Sequence, residues 1–289
     1  MDRLWAKCLR HRGAGILPAA INRQLNLTGI FKQPLSGSCT SRHLHLTTAR
    51  MIRFSLFGIP VEVQPFFWVV AALMGGALSA DSRTAFFAMA LFVIAAFISI
   101  LIHELGHALT GRKLGGGYAK IVLTTFGGLA YNQGGRFDRQ QRFWMIAAGP
   151  GAGFAFLIVI LAVLALAFNG PDAMAFTSQV LFGMRTPFTS DDLISFMREK
   201  PFIHIFLRHL LWINFWWGII NLLPVMPLDG GQITDLFVRP QQLVFLIGLI
   251  TGAGMAALAF LLLGSLYTAL LFGYLAWENY KNMQEVRWQ

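Results

Sequence analysis

Charge is what this chain has least of. Asp, Glu, Lys and Arg make up 12% of its 289 residues, about half the roughly 25% of an ordinary soluble domain. Acid is scarcer than base, with 13 Asp and Glu against 23 Lys and Arg. Cysteine is nearly absent: Cys8 and Cys39 are the only two, so nothing beyond residue 39 can form a disulfide or a thiolate metal site. No internal repeat of fixed period appears, which excludes a solenoid. The apolar runs also lack the amphipathic periodicity that a soluble helical core needs. A basic face with base-reading elements is missing too, so no nucleic-acid partner is expected.

Apolar residues fill the space that charge leaves. They account for 56% of the chain and are gathered in runs. Ala85–Ile102 carries no charge, and neither does Phe143–Phe168. Leu210–Leu228 is apolar except for Asn214 and Asn221, Leu243–Ala276 is long enough for two short passes, and Pro65–Ala80 is a weaker first run. A helix crosses the hydrocarbon core with roughly 17–25 residues. The expected fold is therefore an all-α polytopic membrane protein of about six transmembrane helices, embedded in a lipid bilayer. With the N-terminus inside and the helices alternating, 18 of the 23 Lys and Arg fall on the inner side. Cytoplasmic loops carry such an excess. The net charge of +10 thus reads as topology, and the expected location is the bacterial inner membrane with both termini cytoplasmic. The sequence carries no signature of oligomeric state.

Residues 1–50 differ from the rest. They hold eight Lys and Arg and a single acid, Asp2. This composition is shared by transit peptides, but no amphipathic helix or cleavage site accompanies it. Residues 1–50 are expected to be a basic extension, disordered or outside the mature protein, and residues 51–289 to form the membrane-embedded domain.

Within the second run, Phe97–Gly111 reads FISILIHELGHALTG. A charge at the bilayer centre costs about 2.5–3.5 kcal/mol on insertion scales, so His103, Glu104 and His107 need a partner, a wet cavity or an ion. On a helix, positions i and i+4 share a face. Two imidazoles so placed can bind one Zn²⁺, and Glu104 then lies beside the ion as a general base. Small residues at Gly106 and Ala108 would admit a close neighbour.

A catalytic zinc takes three protein ligands. His11, His43 and His45 lie in the extension, and His204 and His209 lie at the outer start of the fourth span. At 1.5 Å per residue, a helix entering at Ala85 carries His103 about 27 Å inward. The fourth span, entering at Leu210, carries Asp229 about 28 Å inward. Asp229 matches the level of the histidines and His209 does not. In Asn221-Leu-Leu-Pro-Val-Met-Pro-Leu-Asp229-Gly-Gly, Pro224 and Pro227 free backbone carbonyls. At membrane depth such backbone must line a cavity. Asn221 is a candidate to hydrogen-bond an unwound substrate, or else a neighbouring helix.

HELGH followed by NLLPVMPLDGG resembles the site-2 protease family of intramembrane zinc metalloproteases, peptidase family M50, over roughly Met51 to Tyr280. The resemblance implies one Zn²⁺ per chain on His103, His107 and Asp229, with Glu104 activating water. It implies a three-helix catalytic core from the second, third and fourth spans, and a transmembrane protein as substrate. Tyr118–Gln133 is expected to be a short β-hairpin or a re-entrant loop beside that core. Its Thr124–Gly128 stretch, with Gly127 and Gly128, is the candidate edge for an extended substrate. Gly153 departs from the family, whose members often carry Asn there. Two rivals remain at this stage. A metal or proton transporter would use the His and Asp without needing Glu104, and a catalytically silent binding module would be expected to have lost one of the four residues.

Overall fold

In the computed structural model the described residues are 51–125, 127–262 and 264–287. The basic extension at residues 1–50, with both cysteines, lies outside them. The chain opens with two strands, β1 (Ile52–Leu56) and β2 (Ile59–Val63), then α1 (Pro65–Met74), a single 3-10 turn (Ala77–Ser79) and α2 (Arg83–Gly115). A hairpin follows, β3 (Tyr118–Thr124) and β4 (Gly127–Gln133), before α3 (Arg139–Phe168), α4 (Gly170–Phe182) and α5 (Asp191–Glu199). The last elements are α6 (Pro201–Asn221), α7 (Asp229–Phe237), α8 (Gln241–Leu261) and α9 (Leu266–Arg287).

The predominantly helical architecture and the hairpin agree with expectation. Among the described residues, four helices are long and apolar enough to cross a membrane: α2, α3, α6 and α8. Each keeps large apolar side chains exposed on its outer face, such as Ile94, Ile158, Val163, Ile250 and Phe260. A helix apolar on all sides belongs in lipid. The two remaining expected spans differ. The first, Pro65–Ala80, holds only the ten-residue α1, about 15 Å long. The last, α9, has 22 residues, but Glu278, Lys281 and Glu285 occupy its second half.

Local chemistry fixes the ends of the long helices. Ser82 caps α2 by accepting the Ala85 N–H at 3.1 Å, and Arg112 and Lys113 lie in its last turn, where cations suit the helix dipole. Asp138 and Gln141 cap α3 reciprocally, each accepting a backbone N–H of the other at 2.8 and 3.0 Å, which is a capping box.

The strands form one four-stranded sheet in the order β1-β2-β3-β4. The outer pairs are antiparallel and the central β2–β3 pair is parallel. The β1–β2 pair was not anticipated. Its signal is the alternation in Ile59, Val61 and Val63, all buried, around a Phe57-Gly58 turn. These side chains and Ile121 and Leu123 of β3 pack with Leu101, Leu105 and Ala108 of α2. The solvent-side register is held by Glu62, which pairs with Arg53 at 3.2 Å and Lys120 at 2.8 Å. The sheet thus clasps the C-terminal half of α2, with β4 as one edge.

Residues 169–201 fold largely into α4 and α5. They are organised by Asp172, which is fully buried. Its carboxylate accepts from the amide and hydroxyl of Thr189, the amide and hydroxyl of Ser190, and the side-chain amide of Asn169. This clasp seats Phe176 and Leu193 on Leu164 of α3 and Leu211 of α6. It caps the opposite end of the helices from the sheet.

Candidate metal centre

Three helices, α2, α3 and α6, meet at the C-terminal half of α2, as the expected three-helix core. They can approach because small residues lie at the contacts. A Cβ on Gly106 would overlap the Ala148 backbone, and one on Gly149 would overlap the His107 ring. Between α2 and α6 the buried Asn214 donates to Ser99 at 2.9 Å. A Cβ built on Gly153 of α3 would stand 3.8 Å from the Asn214 side-chain oxygen, so α3 supplies no polar side chain at that contact.

His103 and His107 share one face of α2. Their Nε2 atoms lie 3.2 Å apart. Asp229 Oδ2 stands 3.1 Å from the Nε2 of His103 and 3.3 Å from that of His107. The three atoms therefore form a nearly equilateral triangle. Zinc bonds nitrogen and oxygen at about 2.0–2.1 Å in a tetrahedron, and any two ligand atoms of such a tetrahedron are then about 3.3–3.4 Å apart. The triangle matches one face of it. Among the described residues, this is the one group of three His, Cys, Asp or Glu side chains arranged to hold a metal.

The rings are oriented to match. His107 Nδ1–H donates to the Met145 carbonyl of α3 at 2.9 Å. That bond leaves the lone pair of the neutral ring on Nε2, inside the triangle, as outer partners of metal-bound histidines commonly do. His103 and Asp229 are buried. The donor set, two imidazoles and one carboxylate with no thiolate, suits a single zinc ion.

Asp229 reaches this level by a different path from the one expected. The fourth span does not continue to it. Helix α6 starts at Pro201 and ends at Asn221, a non-helical segment follows, and Asp229 begins α7. The carbonyls released by this break are taken by side chains: Gln232 donates to Pro227 O at 3.1 Å, and Asn279 donates to Met226 O at 2.8 Å. Gly230 and Gly231 serve close packing, since a Cβ at either would strike the backbone of Leu222 or Val225. The two excluded histidines stay away. His209 packs edge-on against Phe92 of α2, eleven residues or about 16 Å along the helix from His103. His204 lies against Phe176 of α4.

Glu104 is buried beside the triangle, and its carboxyl rests on Gly128 of β4, where a Cβ would overlap it. Gly127, with φ of 115°, is covered by the Trp217 ring of α6. Both glycines thus keep the start of β4 close to the reactive face. Asn221 turns back on its own helix, donating to the Trp217 carbonyl at 2.9 Å. Sequence reading missed Met145, Gly149 and Asn279. Only Gly149 had a signal, the Gly-Pro-Gly run inside the continuous helix α3.

Known proteins resemble this chain. The model for peptidase family M50 matches residues 91–258, more than half the chain. A zinc metalloprotease of Methanocaldococcus jannaschii is 28% identical over 180 residues, covering 62% of this chain and 43% of the relative. Stage IV sporulation protein FB of Bacillus subtilis is 26% identical over 184 residues, covering 63% and 49%. The chain thus spans less than half the length of these relatives. The solved site-2 protease from Methanocaldococcus jannaschii matches with a TM-score of 0.47 at 22% identity, covering 82% of this chain and 94% of that one. With the family match spanning both the histidine pair and Asp229, this integral membrane protein belongs to peptidase family M50.

Proposed function

We propose that the protein is an intramembrane zinc metalloprotease that hydrolyses peptide bonds in transmembrane protein substrates. The observation that carries this reading is the 3.1–3.3 Å triangle of His103, His107 and Asp229, with Glu104 beside it against β4. These three side chains would hold one Zn²⁺, and Glu104 stays free of ligation. When bound, such an ion polarises a carbonyl and lowers the pKa of water toward about 7.

The protein's own groups account for the remaining steps. Glu104 accepts the proton of the attacking water at a carboxylate oxygen and delivers it to the leaving amine. A transmembrane helix hides its carbonyls in hydrogen bonds, so the substrate must first be extended. The free edge of β4 offers it backbone partners, starting at Gly127 and Gly128 next to the base. Asn221, one of whose amide hydrogens is engaged by Trp217, keeps its side-chain carbonyl oxygen for a substrate N–H. The loop Arg112–Arg142 faces the cytoplasm with both termini, in a bacterial inner membrane. Residues 1–50 are a separate basic extension to the 51–289 domain.

Replacing Glu104 by Gln tests the assignment. Zinc stays bound at one per chain, and cleavage of a membrane-spanning peptide falls by about 10²–10⁴, the usual contribution of a general base. Wild-type cleavage in Glu104→Gln would remove the base from its role. Zinc transport that needs His103 but not Glu104 would favour a transporter.

A further inference from the structure

The C-terminal helix pair, α8 and α9, contains a buried amide with an unusual position. Asn279 of α9 is 0% exposed. One of its bonds is to its own helix, the Leu275 carbonyl at 2.8 Å; the other crosses 53 residues to the Met226 carbonyl, also at 2.8 Å. Its Oδ1 is buried without a partner and presses on Gly248 of α8. An unsatisfied buried acceptor is unfavourable, so an apolar residue would pack this pair more favourably. What the amide adds is the bond to Met226, three residues before Asp229.

The surroundings of that bond point the same way. The buried clusters that join α8 and α9 to the rest of the protein centre on the segment carrying Asp229. Val225 packs with Phe272 and Leu275, and Met226 with Val244 and Phe245. Neither of the two clusters around α2 contains a residue of α8 or α9. Met226 precedes Pro227, in a stretch without helical hydrogen bonding, so its carbonyl depends on a side chain. His103 and His107 ride on α2 and need no such support.

We propose that Asn279 is a positioning residue for the third metal ligand: through Met226 it holds the Asp229 segment at the distance the two histidines require. The α8–α9 pair is then a splint for one arm of the site. This inference rests on the zinc reading of the triangle.

The test is zinc affinity of the full chain in detergent, by competition with a chromophoric chelator, alongside thermal melting. Asn279→Leu keeps the side chain's size and removes the donor. Its zinc affinity is expected to fall about tenfold, the lower end of the 10–100-fold typical of outer-shell partners. Asp172→Asn, equally buried at the other end, should lower the melting temperature and leave zinc affinity unchanged. If Asn279→Leu does not fold, Gly248→Ala carries the test, because its methyl displaces the amide while retaining it; the same loss is expected. Wild-type zinc affinity in a folded Asn279→Leu or Gly248→Ala protein overturns the proposal. A wild-type chain that binds no zinc overturns the metal reading itself, and this inference with it.

Discussion

Two buried carboxylates, Asp172 and Asp229, each sit in the first turn of a short helix, yet their surroundings are opposite. Asp172 receives five N–H and O–H donors, which occupies the roughly four lone-pair sites a carboxylate offers. Asp229 faces two imidazole nitrogens, one of which His107's bond to Met145 leaves as an acceptor. A carboxylate saturated by donors is a structural clasp. One that shares a triangle with acceptor nitrogens is built to share a cation with them. Burial is common to both and distinguishes nothing; the chemistry of the neighbours does.

The largest effect expected from breaking this contrast is at Asp229. Asp229→Ala should lower zinc affinity by more than the roughly 10–100-fold that outer partners cost, and abolish cleavage with it. His204→Ala and His209→Ala should change zinc affinity little, because their rings lie against Phe176 and Phe92. Metal analysis on detergent-purified samples of matched melting temperature checks this. Full zinc in Asp229→Ala would place the third ligand elsewhere.

A smaller effect is expected at Gly149, which sharpens the ligand side of the comparison without removing a ligand. A methyl there overlaps the His107 ring, and overpacking costs about 1–3 kcal/mol. Gly149→Ala should therefore weaken zinc binding about tenfold with little loss of helix content by circular dichroism. Unchanged affinity would mean that the ring has room the packing denies it.

The smallest effect on the metal should come from Asp172. The Ser190 and Thr189 hydrogen bonds hold its carboxyl well below the ordinary carboxylate range. A depressed folded pKa means that its stabilisation is complete above the unfolded value, about 3.9, and disappears as pH falls through the folded value. On acidification from pH 5 to 3, the wild-type melting temperature should drop more than that of Asp172→Asn. Equal slopes for the two proteins would show that the clasp contributes nothing.

Much of the site was legible because its chemistry is local. His103 and His107 are four apart on one helix, and an apolar run makes Glu104 conspicuous. Asp229 was legible by depth alone, although the path to it was not: two prolines announced a break, but where α6 stops depends on packing around Gly230 and Gly231. The β1–β2 pair was obscured because Pro60 interrupts an alternation only five residues long. Helices α4 and α5 had no signal to read, since their arrangement depends on Asp172 finding Thr189 and Ser190 some eighteen residues away. Asn279 had no local signal, since its meaning lies in a carbonyl 53 residues distant.

Zinc K-edge X-ray absorption of the purified wild-type chain tests the ligand set most directly. The structure predicts one zinc with imidazole scattering from two rings and a nitrogen and oxygen shell at about 2.0–2.2 Å. Asp229→Ala should leave the imidazole signal in whatever zinc it retains and lose one oxygen. A sulfur shell near 2.3 Å, or zinc without imidazole scattering, would contradict the account, since it would move the metal away from His103, His107 and Asp229.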